Sequence, residues 1–567
     1  MNVRSLRRFL PLVLVAVALV LLVLTIGPAA AGPSPDARTV PIQILAVNDF
    51  HGALAPPGTI NTPTGPVLAG GAEYLSTWIK SLKADNPKTV IVSAGDMIGA
   101  SPLLSALFHD EPSIETFNEI GLDFNAVGNH EFDEGLAELK RMQTGGCHPV
   151  DGCADGDPFG GADFRYLAAN VFYAGTNRTI FPPYGIRTFS GGVKVAFIGM
   201  TLEGTPLIVS PSGVAGLEFK DEAKTVNRLA ALLKKRGVEA IVVLVHEGGF
   251  PSVGTEYNAC PGISGPIIDI VERTTDEVDL FITGHTHQAY NCVIDGRVVT
   301  SAASNGRLVT RINMEVSRRT KEVTSVTAEN IIVTQNVAKD PAITALIAKY
   351  DAVAAPLRNR IVGSITGDIT RAATRGEESS VGRLVADAQL DATNDANDGN
   401  AVIAFMNAGG LREDFIYSEI SGTEQPGEVT FGELFQVQPF GNSLVTMDTT
   451  GAQIETLLEQ QWSTQPNPGG KLLQVSEGFT YAYSQSAPIG DKVDPASIKL
   501  NGVTIDPNAT YRVTVNSFLA DGGDGFAVLR EGTNRLGGAV DTDALEAYFA
   551  AHSPVAPVLT PRITILP

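Results

Sequence analysis

Six apolar runs punctuate the first half of the chain: 42–47, 90–94, 124–127, 193–200, 240–245 and 278–283. Each is short, rich in β-branched residues and bounded by Gly, Asp or Asn, which predicts buried strands. Residues 72–84 and 221–236 mix apolar and charged positions at helical spacing. A hairpin over 188–201 and closing strands over 297–319 and 322–333 complete an α/β unit spanning 40–334. A connecting helix is predicted over 335–361. Asp340-Pro341 marks its start, and Ile343, Leu346, Ile347 and Tyr350 share one face. Residues 362–567 then open with a strand and a helix over 379–394. They continue as mixed α and β, with alternating strands over 500–517, which predicts a smaller α+β domain. A chain of 567 residues is too long for one core, so two or more domains are expected.

Five of the six runs end in polar residues of one chemical kind. Asn48-Asp49-Phe50-His51-Gly52 follows the first and Gly95-Asp96 the second. Gly128-Asn129-His130-Glu131 follows the third, His246-Glu247 the fifth and Gly284-His285-Thr286-His287 the sixth. These clusters hold five of the chain's eight histidines. Open α/β folds gather ligands at the carboxyl ends of their strands, so the clusters are expected to meet. A lone strand-end Asp is usually a turn or cap residue, and a lone His is usually structural. Five such clusters at equivalent strand ends point instead to a metal centre.

The donors suit two ions. Asp49 and His51, two apart in a loop leaving a strand, can turn to one metal. Asp96 has two carboxylate oxygens and can bridge a pair of ions, as two-metal hydrolysis requires. Asn129 offers a neutral oxygen, while His246, His285 and His287 offer nitrogens. A mixed O/N shell suits Zn²⁺, Mn²⁺, Co²⁺ or Fe, with Mg²⁺ also in the expected set, rather than Ca²⁺. His130 and Asp133, three apart, form a separate pair in which the carboxylate can fix the imidazole tautomer.

Composition adds a destination. Hydrophobic residues make up 44% and charged residues 18%, a globular balance. Arg4, Arg7 and Arg8 precede an apolar run over 12–26, and Ala29-Ala30-Ala31 offers a cleavage site. This predicts a signal peptide over 1–31 and a secreted or extracytoplasmic protein with no stable membrane insertion after cleavage. Losing three arginines and no acid moves the formal charge from −21 to −24. Such a surface disfavours a nucleic acid polymer as partner. Four cysteines fit an exported protein. They allow three pairings, of which the local one, Cys147–Cys153 with Cys260–Cys292, is expected.

Taken together, the strand-end motifs resemble the 5′-nucleotidase family of calcineurin-like metallophosphoesterases, and the resemblance covers nearly all of the mature chain. It implies a four-layer-type metallophosphoesterase sandwich, a linker helix and a nucleotide-binding domain. It implies two divalent ions, one held by Asp49, His51, Asp96 and His287, the other by Asp96, Asn129, His246 and His285. It implies that His130 and Asp133 act beside the transferring phosphate. In the second domain the motifs Asn407–Arg412, Pro439–Asn442 and 517–525 look like the family's substrate reader. By that likeness Phe440 and Phe518 sandwich the base, Asp524 takes the ribose hydroxyls, Arg375 and Arg412 meet the phosphate, and Asn407 and Asn442 are polar contacts. Hydrolysis of nucleoside 5′-monophosphates is the expected activity. A 2′,3′-cyclic nucleotide phosphodiesterase or a hydrolase of UDP-sugars or dinucleotides is the alternative. A non-catalytic surface protein is disfavoured because every ligand position is filled.

Overall fold

The strand Thr39–Val47 sends alternate residues to opposite faces, as a pleated backbone must. Val40, Ile42, Ile44 and Ala46 enter one apolar core, and Leu45 and Val47 enter another. A strand buried on both faces reads as a continuous apolar run, which is why this segment carries no polar alternation. The computed structural model that shows this describes residues 38–372, 374, 376–462 and 470–566. The expected leader over 1–31 and Arg375 lie outside the described residues.

Two six-stranded sheets form the N-terminal unit. In the first, Thr39–Val47 runs parallel to Thr89–Ser93, then Phe124–Ala126 and Arg165–Leu167, with antiparallel Leu308–Ser317 and Val323–Ile332 on the far side. In the second, Val193–Thr201, Ala240–His246, Leu280–Thr283 and Arg297–Ala302 are parallel neighbours. Tyr184–Phe189 and Ala289–Ile294 close its edges. The sheets face each other through Ile42, Ile44, Val90 and Val92 on one side and Val195, Phe197, Val242 and Leu244 on the other. Ala72–Asp85 and Glu111–Ile120 cover the outer face of the first sheet, placing Leu75, Ile79, Ile114 and Phe117 on Leu45 and Ile91. Glu222–Lys235 and Pro266–Glu272 cover the second through Val226, Leu229, Ile267 and Val271. The order helix, sheet, sheet, helix is the four-layer sandwich expected.

The closing region 297–319 divides between the two sheets. Arg297–Ala302 stays in the second and Leu308–Ser317 crosses to the first. The crossing is a turn in which Ala303 and Asn305 both have φ +56°, and Asn305 N–H donates to the Asp49 carbonyl at 2.7 Å. The connecting helix is Pro341–Arg358, shorter at both ends than its predicted span. Asp340 caps it by accepting from Ala342 N–H at 3.0 Å, and Pro341 takes the first turn, where a missing N–H costs nothing. Ile343 and Tyr350 are buried on the N-terminal core, with Leu346 and Ile347 packed beside them.

Beyond it lie a five-stranded sheet, in the order Leu473–Val475, Ile403–Asn407, Thr510–Asn516, Ser443–Thr450, Thr533–Val540, and a smaller four-stranded one. Ser380–Asp391, capped by Ser379, packs on the larger sheet, so this part is α+β. Cys147 pairs with Cys153 and Cys260 with Cys292, the local connectivity expected. Among the described residues no helix is long and apolar enough to cross a membrane.

Candidate active site

All the ligand-type clusters meet where the strands of both sheets end. Asp49, His51, Asp96, His285 and His287 each have φ between +49° and +69°. Non-glycine residues avoid this region at a cost of order 1–3 kcal/mol each, so their surroundings must hold them there. Glycine makes room where backbone meets ligand. A Cβ at Gly128 would collide with Asp96 Oδ1, and one at Gly95 would lie 2.7 Å from His246 Nδ1.

Three groups of donors lie within 4.8 Å of one another: Asp49, His51 and His287; His51, Asp96 and His130; and Asp96, His246 and His285. His246 Nε2 is 2.9 Å from Asp96 Oδ2 and 3.2 Å from Asn129 Oδ1, and His285 Nδ1 is 3.0 Å from Asn129 Oδ1. His51 Nε2 lies 3.0 Å from His287 Nε2, 3.9 Å from Asp96 and 4.0 Å from Asp49. Asp49 accepts Asn48 Nδ2 at 2.7 Å and His285 N–H at 3.0 Å.

The hydrogen bonds fix the histidine tautomers. His51 Nδ1 faces the Gly99 carbonyl at 2.8 Å and His246 Nδ1 the Ala94 carbonyl at 2.7 Å, so both Nδ1 atoms carry the proton. In the neutral rings the Nε2 lone pairs then point at other acceptors: an imidazole nitrogen, a carboxylate and an amide oxygen. Without a proton on Nε2, these nitrogens and oxygens form a buried mixed N/O donor set of the kind a divalent cation satisfies. The residues present therefore fit divalent metal.

Charge separates the members of the cluster. Burial pushes His51 down to about 3, with His130 and Arg412 adding to the effect, and burial likewise lowers His287 well below its ordinary value. Burial raises Asp49. His246 resists its own burial because the Asp96 carboxylate outweighs it, and the same pairing holds Asp96 low against its burial.

His130 Nδ1 lies 2.8 Å from Asp133 Oδ2, the contact expected, while the same ring also falls in a donor group with His51 and Asp96. Burial alone would lower His130, but Asp133 and Asp96 raise it above its ordinary 6.5. Its backbone N–H donates to Asp96 Oδ1 at 2.9 Å, tying the pair to the metal-type cluster.

Glu131 lies inside a motif read from the sequence but received no role there. It is 2% exposed. Its carboxylate accepts from the backbone N–H groups of Asp96, Met97 and Gly128 at 2.6–3.0 Å, fixing the loops that carry Asp96 and Asn129. No sequence spacing signals this, because the partners come from two separate loops.

Across a cleft of about 1270 Å³ lie residues of the C-terminal part. Arg412 and Asp524 line it together with His51, His285 and His287. Asp524 is 5% exposed, takes Asn407 Nδ2 at 3.1 Å, and pairs with Lys471 Nζ at 2.9 Å. Lys471 is a cleft residue that the sequence reading missed. Phe440 stacks on the His130 ring at 5.8 Å and 19°, beneath the Arg412 guanidinium. No ring contact joins Phe440 to Phe518 among the described residues. Asn442 is engaged internally, accepting from Ser517 Oγ at 3.2 Å and contacting Asp541 at 3.4 Å.

Comparison with known proteins places this arrangement. Residues 42–289 match the calcineurin-like phosphoesterase family and residues 361–531 the 5′-nucleotidase C-terminal domain. The chain is 32% identical over 533 residues to Endonuclease YhcR of Bacillus subtilis (strain 168), covering 93% of this chain and 41% of that one, so it spans less than half of that relative. It is 31% identical over 571 residues to Cell wall protein Lmo0130 of Listeria monocytogenes serovar 1/2a, covering 95% of this chain and 71% of the relative. The crystal structure of the 5′-nucleotidase precursor from Thermus thermophilus superposes with a TM-score of 0.75 at 25% identity, covering 93% and 99% of the two chains. With both domains matched in order and a mixed N/O donor cluster at the strand ends, the chain belongs to the 5′-nucleotidase family of metal-dependent phosphoester hydrolases.

Proposed function

We propose that the chain is an exported two-metal 5′-nucleotidase that releases phosphate from nucleoside 5′-monophosphates. The observation that carries this is one cleft bordered both by His51, His285 and His287 and by Arg412 and Asp524. In this reading Asp49, His51, Asp96 and His287 hold one ion, and Asp96, Asn129, His246 and His285 hold the other. When bound, such ions supply Lewis acidity at phosphate oxygens and a water acidic enough to attack at neutral pH.

The chain's own residues do the rest. His130, its Nδ1 held by Asp133, leaves Nε2 to offset developing charge and to protonate the leaving ester oxygen. Arg412 adds a fixed positive charge, and Arg375 serves beside it by family likeness. The base rests on Phe440 and Phe518, the ribose hydroxyls on Asp524 braced by Asn407, with Asn442 as a polar contact. The units 40–334 and 362–567, joined through 335–361, divide chemistry from recognition. Export is supported by the basic and apolar start over 1–31 and by the two disulfides.

Purified protein supplied with Mn²⁺, Co²⁺, Mg²⁺ or Zn²⁺ should hydrolyse AMP faster than 2′,3′-cyclic nucleotides, UDP-sugars or dinucleotides. The name of the endonuclease relative favours keeping phosphodiesters in that panel. Diester turnover with no AMP hydrolysis under any of the four metals would overturn the monoesterase reading.

A further inference from the structure

Three of the eight histidines lie outside the strand-end clusters: His109, His148 and His552. Two of them meet each other. His148 and Asp151 sit in a loop closed by the Cys147–Cys153 disulfide and braced by reciprocal backbone hydrogen bonds between His148 and Gly152 at 3.1 and 3.0 Å. His109 comes from the segment before the helix Glu111–Ile120, and Glu134 from just before the helix Gly135–Thr144. The two imidazoles lie 3.7 Å apart, 17° from parallel. One carboxylate oxygen, Asp151 Oδ2, is 2.9 Å from His109 Nε2 and 3.1 Å from His148 Nδ1. On the opposite edge, His109 Nδ1 meets Glu134 Oε2 at 2.7 Å. None of the four residues lines the catalytic cleft.

The geometry points to a further divalent-cation site of zinc type, held by His109 Nε2, His148 Nδ1 and Asp151 Oδ2, with Glu134 orienting His109 from behind. Two imidazole nitrogens and a carboxylate oxygen converge within 4.8 Å, His148 and Asp151 from one loop and His109 from another segment. Two histidines and a carboxylate, with a fourth position open to water, is a common zinc donor set. A zinc-bound histidine characteristically donates its other N–H to a carboxylate, which is the place Glu134 occupies. The neighbouring Glu138 is unavailable as a ligand, because Arg141 grips both of its oxygens at 2.6–3.0 Å. For both lone pairs to meet one ion the near-parallel rings must hinge apart. His109 and Asp110 have φ +51° and +63°, so this segment is held in a costly conformation.

The site also connects to the catalytic centre. Asp110 accepts from Gly99 N–H at 2.8 Å, and the Gly99 carbonyl receives His51 Nδ1 at 2.8 Å. A cation on His109 would therefore brace the segment that orients a catalytic-centre histidine. Without a cation, the arrangement is an imidazolium clasped between two carboxylates, with Glu134 pushing His109 up to about 9.

Zinc stoichiometry decides. Full-length protein, stripped of metal with its disulfides intact, is dialysed against Zn²⁺ and its bound zinc counted. His148→Ala, and independently Asp151→Asn, should bind one zinc fewer per chain than the wild type while still hydrolysing AMP. Zn²⁺ should also raise the Tm of the wild type more than that of either variant. A His51→Ala variant should keep this ion while losing zinc from the catalytic centre, which separates failure here from failure of the two-metal reading. Equal zinc counts in the wild type, His148→Ala and Asp151→Asn would overturn the site and leave the imidazolium clasp.

Discussion

At the strand ends of the N-terminal unit, Asp49, Asp96 and His246 are buried and each has a fixed partner close by. Across the cleft, Arg412, Phe440 and Phe518 are only partly buried, and Arg412 lies over Phe440, which itself rests on His130. The first side is positioned by sheet backbone, the second by loops and helix starts. The contrast matches the two tasks. Phosphoester chemistry needs donors held to fractions of an ångström, whereas a base platform needs only an apolar face of the right size. Asp524 is the exception on the reading side: buried, braced by Asn407 and Lys471, and held at φ +56°. It carries, in the domain proposed to read substrate, the same left-handed backbone as Asp49 and Asp96.

The largest expected effect tests whether the buried side is one unit. Asp96 belongs to two of the three donor groups, so Asp96→Ala should remove bound metal and reduce AMP turnover to background together. Retained metal with lost turnover would mean that Asp96 does not bridge. His130→Ala should lower turnover by roughly 10²–10⁴-fold while metal content, read by elemental analysis, stays near wild type. Loss of metal in that variant would merge the two functions kept apart here.

The recognition side should respond more gently. Phe518→Ala should weaken AMP binding by about 1–3 kcal/mol and leave hydrolysis of a small aryl phosphate unchanged. Phe440→Ala should impair both substrates, because its ring also covers His130. Equal losses on both substrates for Phe518→Ala would give that ring a structural role.

The smallest effect concerns pH and touches both units. Burial raises Asp279 and Asp541 to about 7 from an ordinary 3.8. The fold disfavours their ionised forms. The stability they lend is therefore greatest below 3.8 and is lost as pH rises through about 7. Asp541→Asn should flatten that part of the Tm profile, as read by thermal melts from pH 4 to 8. An unchanged slope would show that the carboxyl is already ionised in the fold.

Much of the catalytic side is legible in the sequence because each strand-end motif is local. A β-branched run stops at Gly, Asp or Asn, and the ligand stands within two or three residues of the stop. The runs themselves indicate an α/β unit, while the four-layer order was implied by the family resemblance of the strand-end motifs and is what the two facing sheets and their outer helices form. Glu131 escaped notice because it ties its own loop, through Gly128, to the separate loop of Asp96 and Met97. The split of 297–319 was hidden for a similar reason. Its turn at Ala303 and Asn305 is fixed by Asp49, more than 250 residues away in the chain.

By itself the sequence determined the donor inventory and the strand ends that carry it and marked out a second domain, all set by local composition and spacing, while three cysteine pairings stayed open to it. The tertiary structure alone decided that lone pairs from separate loops face one another, that Phe440 lies on His130 rather than against Phe518, and that His109 meets a disulfide-closed loop. Those outcomes depend on long-range packing, and no short stretch of chain encodes them.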